Sequence, residues 1–181
     1  MIKETVAPRL DVRLFAQSGG RLSGSERLDR FPRIVEAALP VAPDLMVRWS
    51  AQGETRPDQV GEPQFWLHLD ADAQVPQTCQ RCLDAMQVHL QVDRWFRFVP
   101  DEASATEQDE TCEEEVLVLA QDFDLHELVE DELLLELPYI ARHETCPVQP
   151  KMAMSDPGFA AEPERPNPFA ALASLKTPKG G

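Results

Sequence analysis

No window of the 181-residue sequence approaches the roughly 18 consecutive apolar residues that a membrane-crossing helix needs, so no membrane partner is expected. The amino terminus, MIKETVAPRL, lacks the apolar run of a signal peptide, and the expected compartment is the cytoplasm. Cysteine is scarce. The four, at positions 79, 82, 112 and 146, are too few and too irregularly spaced for a disulfide scaffold. Basic residues are outnumbered, 17 Lys and Arg against 32 Asp and Glu, for a net charge of -15 and a pI near 4.6. Such a balance argues against nonspecific coating of nucleic acid, which needs a basic surface to release phosphate counterions, and no DNA partner is expected. G-x-S-x-G, a glycine-rich phosphate loop and H-E-x-x-H are all missing, and the carboxylates cluster as a solvated face would, so the chain does not read as an enzyme.

At 43% apolar and 27% charged, the bulk of the chain reads as ordinary globular protein. Its charge is unevenly spread. Residues 1–50 carry eight basic and six acidic groups, residues 51–100 four and seven, residues 101–146 one and sixteen, and residues 147–181 four and three. The whole imbalance is therefore that of one segment, and the rest is nearly neutral with an arginine-rich first half. From Pro147 onward, seven prolines in 35 residues and no sustained pattern predict an extended, largely disordered tail after a single domain spanning 1–146. Inside that tail NPFAALASLK offers Asn167 as N-cap, Pro168 at the first helical position, and Phe169, Leu172 and Leu175 at near-helical spacing, which makes it a short partner-binding helix in waiting.

Alternation with a period of two predicts strands around Leu45–Ala51 and Phe65–Val75, and a long one from Met86 to Phe98. The run Val116–Leu119 reads as a short strand buried on both faces, and Asp101–Glu115 as a solvated acidic loop. Residues 29–39 predict a helix with Pro32 in its first turn. A second, acidic helix is predicted at about 124–137, with Asp124 as N-cap, Glu127 completing a capping-box pattern, Leu125, Leu128, Val129 and Leu133 on one face, and Pro138 as the stop. The fold class expected is α+β, a mostly antiparallel sheet with one or two packed helices.

The compact site-like motif is TCQRCL. Thiolates three residues apart in a tight turn can face one tetrahedral ion, so Cys79 and Cys82 read as half a zinc site that His143 and Cys146 of HETCP would complete. Two reduced thiols in a plain turn, or a redox-active pair, are the other readings. Cys112 reads as an incidental thiol, and His68, His89 and His126 as surface histidines. The stretch RWFRF sets Arg94 and Arg97 around Trp95, and Arg81 lies between the paired cysteines; arginine holds phosphate and aromatics stack on splayed bases, so these four are candidate RNA contacts.

Taken together, C-x-R-C-L after an alternating strand, an acidic stretch, DLHELVEDELLLELP, HETCP and a terminal NPFAALASLK resemble the bacterial YceD family of large ribosomal RNA subunit accumulation proteins. The resemblance implies a cytoplasmic, non-enzymatic ribosome-biogenesis factor that supports synthesis, processing or stability of 23S rRNA, by contact with pre-rRNA or with an early large-subunit assembly protein. It carries the family's paired cysteines onto Cys79 and Cys82 and its acidic helix onto 124–137. Some branches have further cysteines after the helix, where this chain has His143 and Cys146. An acidic adaptor for a basic ribosomal protein, using Glu127, Glu130 and Asp131, is an alternative mechanism; a zinc-binding or redox-active thiol protein is the alternative from another class.

Overall fold

A computed structural model describes residues 5–58, 60–109 and 114–148. Cys112 and the segment from 149 onward, with Asn167, Pro168, Phe169, Leu172 and Leu175, lie outside the described residues. In chain order the elements are β1 (Arg9–Leu10), α1 (Val12–Gln17), β2 (Arg21–Arg27), a 3-10 turn (Leu28–Arg30), α2 (Pro32–Ala37), β3 (Met46–Pro57), β4 (Pro63–Thr78), β5 (Ala85–Val99), α3 (Glu102–Asp109), β6 (Glu115–Val118), β7 (Phe123–Asp124) and α4 (Leu125–Leu135). The fold is α+β. Its main sheet has the order β2-β3-β4-β5-β6, antiparallel except for the β5–β6 pair, and β1 pairs with β7 in a two-stranded ribbon.

The alternation of β3, β4 and β5 does what its period demands. Val47, Trp49 and Ala51 face the same core as Leu67, Leu69 and Ala71 and as Leu90, Val92 and Phe96, and all are buried. Onto this face pack α1 and α4, with α2 against α4. In α4 the Asp124 carboxylate accepts a hydrogen bond from the Glu127 amide (3.1 Å), and Leu125, Leu128, Val129 and Leu133 are buried beneath it. Burying each such side chain is worth roughly 2 kcal/mol, enough to hold an eleven-residue helix that would be marginal alone. The helix closes at Leu135, three residues before Pro138.

Several expectations are corrected. The segment expected as an acidic loop contains α3, because the Asp101 carboxylate accepts from the Ser104 amide (2.8 Å) and so caps a run of Ala, Glu and Gln that has no apolar stripe for periodicity to detect. The strand β6 is not buried on both faces: it is the half-buried edge of the sheet, parallel to β5. The helix expected over 29–39 shrinks to a 3-10 turn and α2, with Pro32 at its start as predicted. Strand β2 and helix α1 were not anticipated. Two glycines mark where α1 and the amino-terminal segment press on the sheet. A Cβ at Gly53 would lie 2.7 Å from the Phe15 carbonyl oxygen, and one at Gly24 would lie 2.5 Å from that of Thr5.

Beneath α4 lies a polar core. Glu26 is fully buried; one oxygen accepts from the Ala7 amide (2.7 Å) and the other is 3.1 Å from His126 Nδ1. His126 was expected at the surface, yet its ring stacks on Phe31 with centroids 4.4 Å apart and its Nε2 is 3.3 Å from the Arg30 carbonyl. Through this ring the first turn of α4 reaches Glu26 of β2, Arg30 at the end of the 3-10 turn and Phe31 just beyond it.

Candidate functional site

At one end of the long β4–β5 hairpin, the turn over 79–84 folds back on itself. The Leu83 amide donates to the Cys79 carbonyl and the Cys79 amide to that of Asp84, each at 2.9 Å, with Leu83 in the left-handed region at φ 65. After α4 the chain returns to this turn, where the Gln80 amide donates to the Ala141 carbonyl at 2.8 Å and Ala141 is buried. That contact delivers His143 and Cys146 to Cys79 and Cys82, so that one ligand atom from each of the four lies within 4.8 Å of the others.

The distances suit a tetrahedral ion. Cys79 Sγ and Cys146 Sγ are 4.0 Å apart, and Cys82 Sγ is 3.4 Å from His143 Nδ1; bond lengths of about 2.3 Å to sulfur and 2.0–2.1 Å to nitrogen give tetrahedral edges of about 3.8 and 3.5 Å. The His143 amide also donates to Cys79 Sγ (3.4 Å), the kind of outer hydrogen bond that orients a thiolate ligand. Burial disfavours the Cys79 thiolate, but the backbone amides of Cys82, His143 and Arg81 outweigh it and hold this thiol down at about 5. Cys82 receives a hydrogen bond from the Asp84 amide, but burial and the sulfurs of Cys79 and Cys146 push it up to about 11. Cys79 is thus the thiol whose surroundings favour the thiolate, and a cation would draw the proton from Cys82. The four residues could hold a metal ion.

The candidate RNA contacts do not share a surface. Arg94 has the register of Leu90, Val92 and Phe96, so it points to the helical side of the sheet, where its guanidinium meets Glu132 (2.9 Å), Glu136 (3.4 Å) and Glu115 (3.6 Å). Trp95 and Arg97 lie on the opposite side. There Arg56 sits 4.7 Å over the Trp66 ring and 3.9 Å over that of Trp95, and His68 stacks on Trp95 at 4.7 Å while its Nε2 is 2.7 Å from Asp93. Arg97 lies 5.9 Å from the centre of the Trp66 ring, and an open recess of about 650 Å³ adjoins the two. The Trp66 indole N–H is buried without an acceptor among the described residues. Arg81 is exposed in the cysteine turn, ten residues of strand and more from Trp95, roughly 30 Å at about 3.3 Å per residue.

The acidic face proposed for a basic partner is also largely committed elsewhere. Glu130 is buried and accepts from the Arg33 amide (2.8 Å) and from Arg33 Nε (2.9 Å), while Asp131 pairs with the same guanidinium. Glu127 alone of the three is an exposed residue. Residues that periodicity could not single out, Arg56 and His68 beside Trp95 and Arg142 beside His143, join the candidate surfaces because pairing across β3, β4 and β5, and the return after α4, place them there.

Fold and ligand set together define an α+β protein whose longest hairpin is clasped to the chain beyond α4 by a Cys3His cluster. Residues 67–176 match the family described as large ribosomal RNA subunit accumulation protein YceD, a span that begins in β4 and includes the cluster and α4. The chain belongs to the YceD family. A relative from Haemophilus influenzae bearing that name is 29% identical over 154 residues, covering 82% of this chain and 83% of the relative. No solved structure matches. The family is named for a part in rRNA accumulation rather than for a reaction. Among the described residues no helix is long and apolar enough to cross a membrane.

Proposed function

We propose that this protein is a non-enzymatic cytoplasmic factor that supports accumulation of 23S rRNA by touching the precursor RNA directly, with zinc in the Cys3His cluster as a structural clasp. One observation carries the RNA contact. Arg56, Trp95 and His68 make a column of flat groups on the side of the sheet away from the helices, resting on the buried Trp66 ring and spaced between 3.9 and 4.7 Å. Stacked aromatics and guanidiniums on a sheet are the surface on which proteins receive unpaired bases, and stacking needs no strongly basic chain. The net charge of -15 is no obstacle at this column, since it resides in residues 101–146 and the column stands on β3, β4 and β5. Zinc is favoured among metals by the ligand chemistry, three sulfurs and an imidazole with no open position, as in structural sites.

Crosslinking in growing cells, followed by sequencing of the RNA and identification of proteins bound to the factor, tests this. Crosslinks to large-subunit precursor that disappear in Trp95→Ala are expected, together with a fall of 23S relative to 16S rRNA in that variant. Recovery of ribosomal proteins without RNA would replace this mechanism with the adaptor.

A further inference from the structure

The cysteine cluster has an outward side that the clasp does not explain. Tyr139 is 107% exposed, Leu83 is 73% exposed and Ile140 is 65% exposed, and all three flank the contact between Gln80 and Ala141 that joins the turn to the returning chain. Leu83 holds a left-handed backbone conformation that glycine adopts freely and a leucine resists, yet its side chain covers none of the core. Next to each end of the same contact stands an exposed arginine, Arg81 beside Gln80 and Arg142 beside Ala141. Most arginines of the described residues have a carboxylate or a ring for a partner; among those residues neither Arg81 nor Arg142 makes an ion pair or a cation–π contact.

We propose that the rim of the cluster, Tyr139, Leu83 and Ile140 with Arg81 and Arg142, is a second contact for single-stranded RNA, one that exists only while the clasp is closed. The choice of ligand rests on the reading of the protein as an RNA-contact factor; the place does not, being at the opposite end of the hairpin from Trp95. An unpaired nucleotide joins a flat apolar base to an anionic phosphate, and the rim offers an unobstructed phenol, two aliphatic side chains and two exposed guanidiniums with no ion pair among the described residues, on segments that also carry the exposed Asp84 and Glu144. A folded protein partner would need about 800 Å² on each side, far more than three apolar side chains supply. Stacking of one or two nucleotides needs no more than is present.

The test uses the full-length protein purified with zinc and a fluorescein-labelled twelve-nucleotide single-stranded RNA of mixed sequence, with affinity read by polarisation across a salt series. Tyr139→Ala should weaken binding roughly five- to 150-fold, the loss of one stacked base, and Tyr139→Phe should restore it to within about threefold. Arg81→Ala with Arg142→Ala should flatten the slope of log affinity against log salt by about 1.4, two phosphate contacts on a single strand. Chelation of the metal should reproduce the loss. All of these positions are exposed, so folding is checked by an unchanged circular dichroism spectrum. Unchanged affinity in both Tyr139→Ala and the arginine pair overturns the proposal, as does competition by a polyglutamate peptide at the concentration at which unlabelled RNA competes, which would mark the rim as a dock for acidic protein. Trp95→Ala separates the two surfaces. If it weakens binding and the rim variants do not, the rim is excluded and the sheet surface stands; if wild type binds no RNA, both fall.

Discussion

Glu132 should make the protein less stable as the pH rises, and by an amount that its surroundings set. Its side chain is only 2% exposed and lies 2.9 Å from Arg94, an arrangement that at first sight favours a carboxylate. Burial nevertheless outweighs the attraction of Arg94, and Glu115, Asp131 and Glu136 add repulsion, so that the carboxyl is pushed up from 4.5 to about 7. The physical reason is that one guanidinium, itself 38% exposed, is divided among Glu132, Glu136 and Glu115. The unfolded chain gives up this proton near 4.5 while the folded chain keeps it to about 7. Stability from this group is therefore complete below the lower value, falls as pH rises through the window and levels off above it. A gap of roughly 2.5 pH units at about 1.4 kcal/mol each sets a ceiling near 3 kcal/mol, and solvent around Arg94 brings the expected loss to about 1–3 kcal/mol. Glu132→Gln keeps the shape of the protonated form and removes the titration. Urea unfolding of both proteins at pH 5, 6, 7 and 8 should show the variant gaining on wild type by that amount across the series, whereas Glu136→Gln, on an exposed residue, should show far less. A variant that loses ground as pH rises would mean that the carboxylate is formed and paired in the fold, and would refute the reasoning.

Two further outcomes test the clasp and the sheet. Protein purified without chelator should carry about one zinc per chain by elemental analysis, Cys79→Ser should lose it, and its removal should speed amide exchange over residues 139–148; absence of stoichiometric metal ends the zinc assignment. Gly53→Ala, whose Cβ would meet the Phe15 carbonyl at 2.7 Å, should cost about 1–3 kcal/mol in urea unfolding, and a neutral result would show that α1 rides loosely on β3.

What the sequence made legible depends on how many partners a residue needs. Strands β3, β4 and β5 show themselves because their alternate residues all meet one apolar face, and α4 because its cap and stripe are local. Strand β2 hides because its core-facing positions are Leu22, Gly24 and Glu26: the glycine is small so that the segment around Thr5 can approach, and the glutamate is buried because the Ala7 amide and His126 meet it. Both reasons lie outside the strand. Arg94 misleads for the same cause, since a guanidinium at a core position makes sense only after α4 has brought Glu132 to it. The four residues of the cysteine cluster were visible, but their meeting was not. Spacing proposes each pair of ligands, but only the return of the chain after α4 joins them.

That return also has a consequence in time. Cys79 and Cys146 are 67 positions apart, and between them lie β5, α3, β6, β7 and α4. A ribosome adding about 5–20 residues per second exposes the first pair of ligands roughly three to thirteen seconds before the last one emerges. Until then no ion can be enclosed by all four, however much metal the cell provides. If the proposed zinc binds, its closure of the clasp would certify that everything from the hairpin to the far side of α4 has been synthesised, and a rim that works only when closed would be withheld from every unfinished chain.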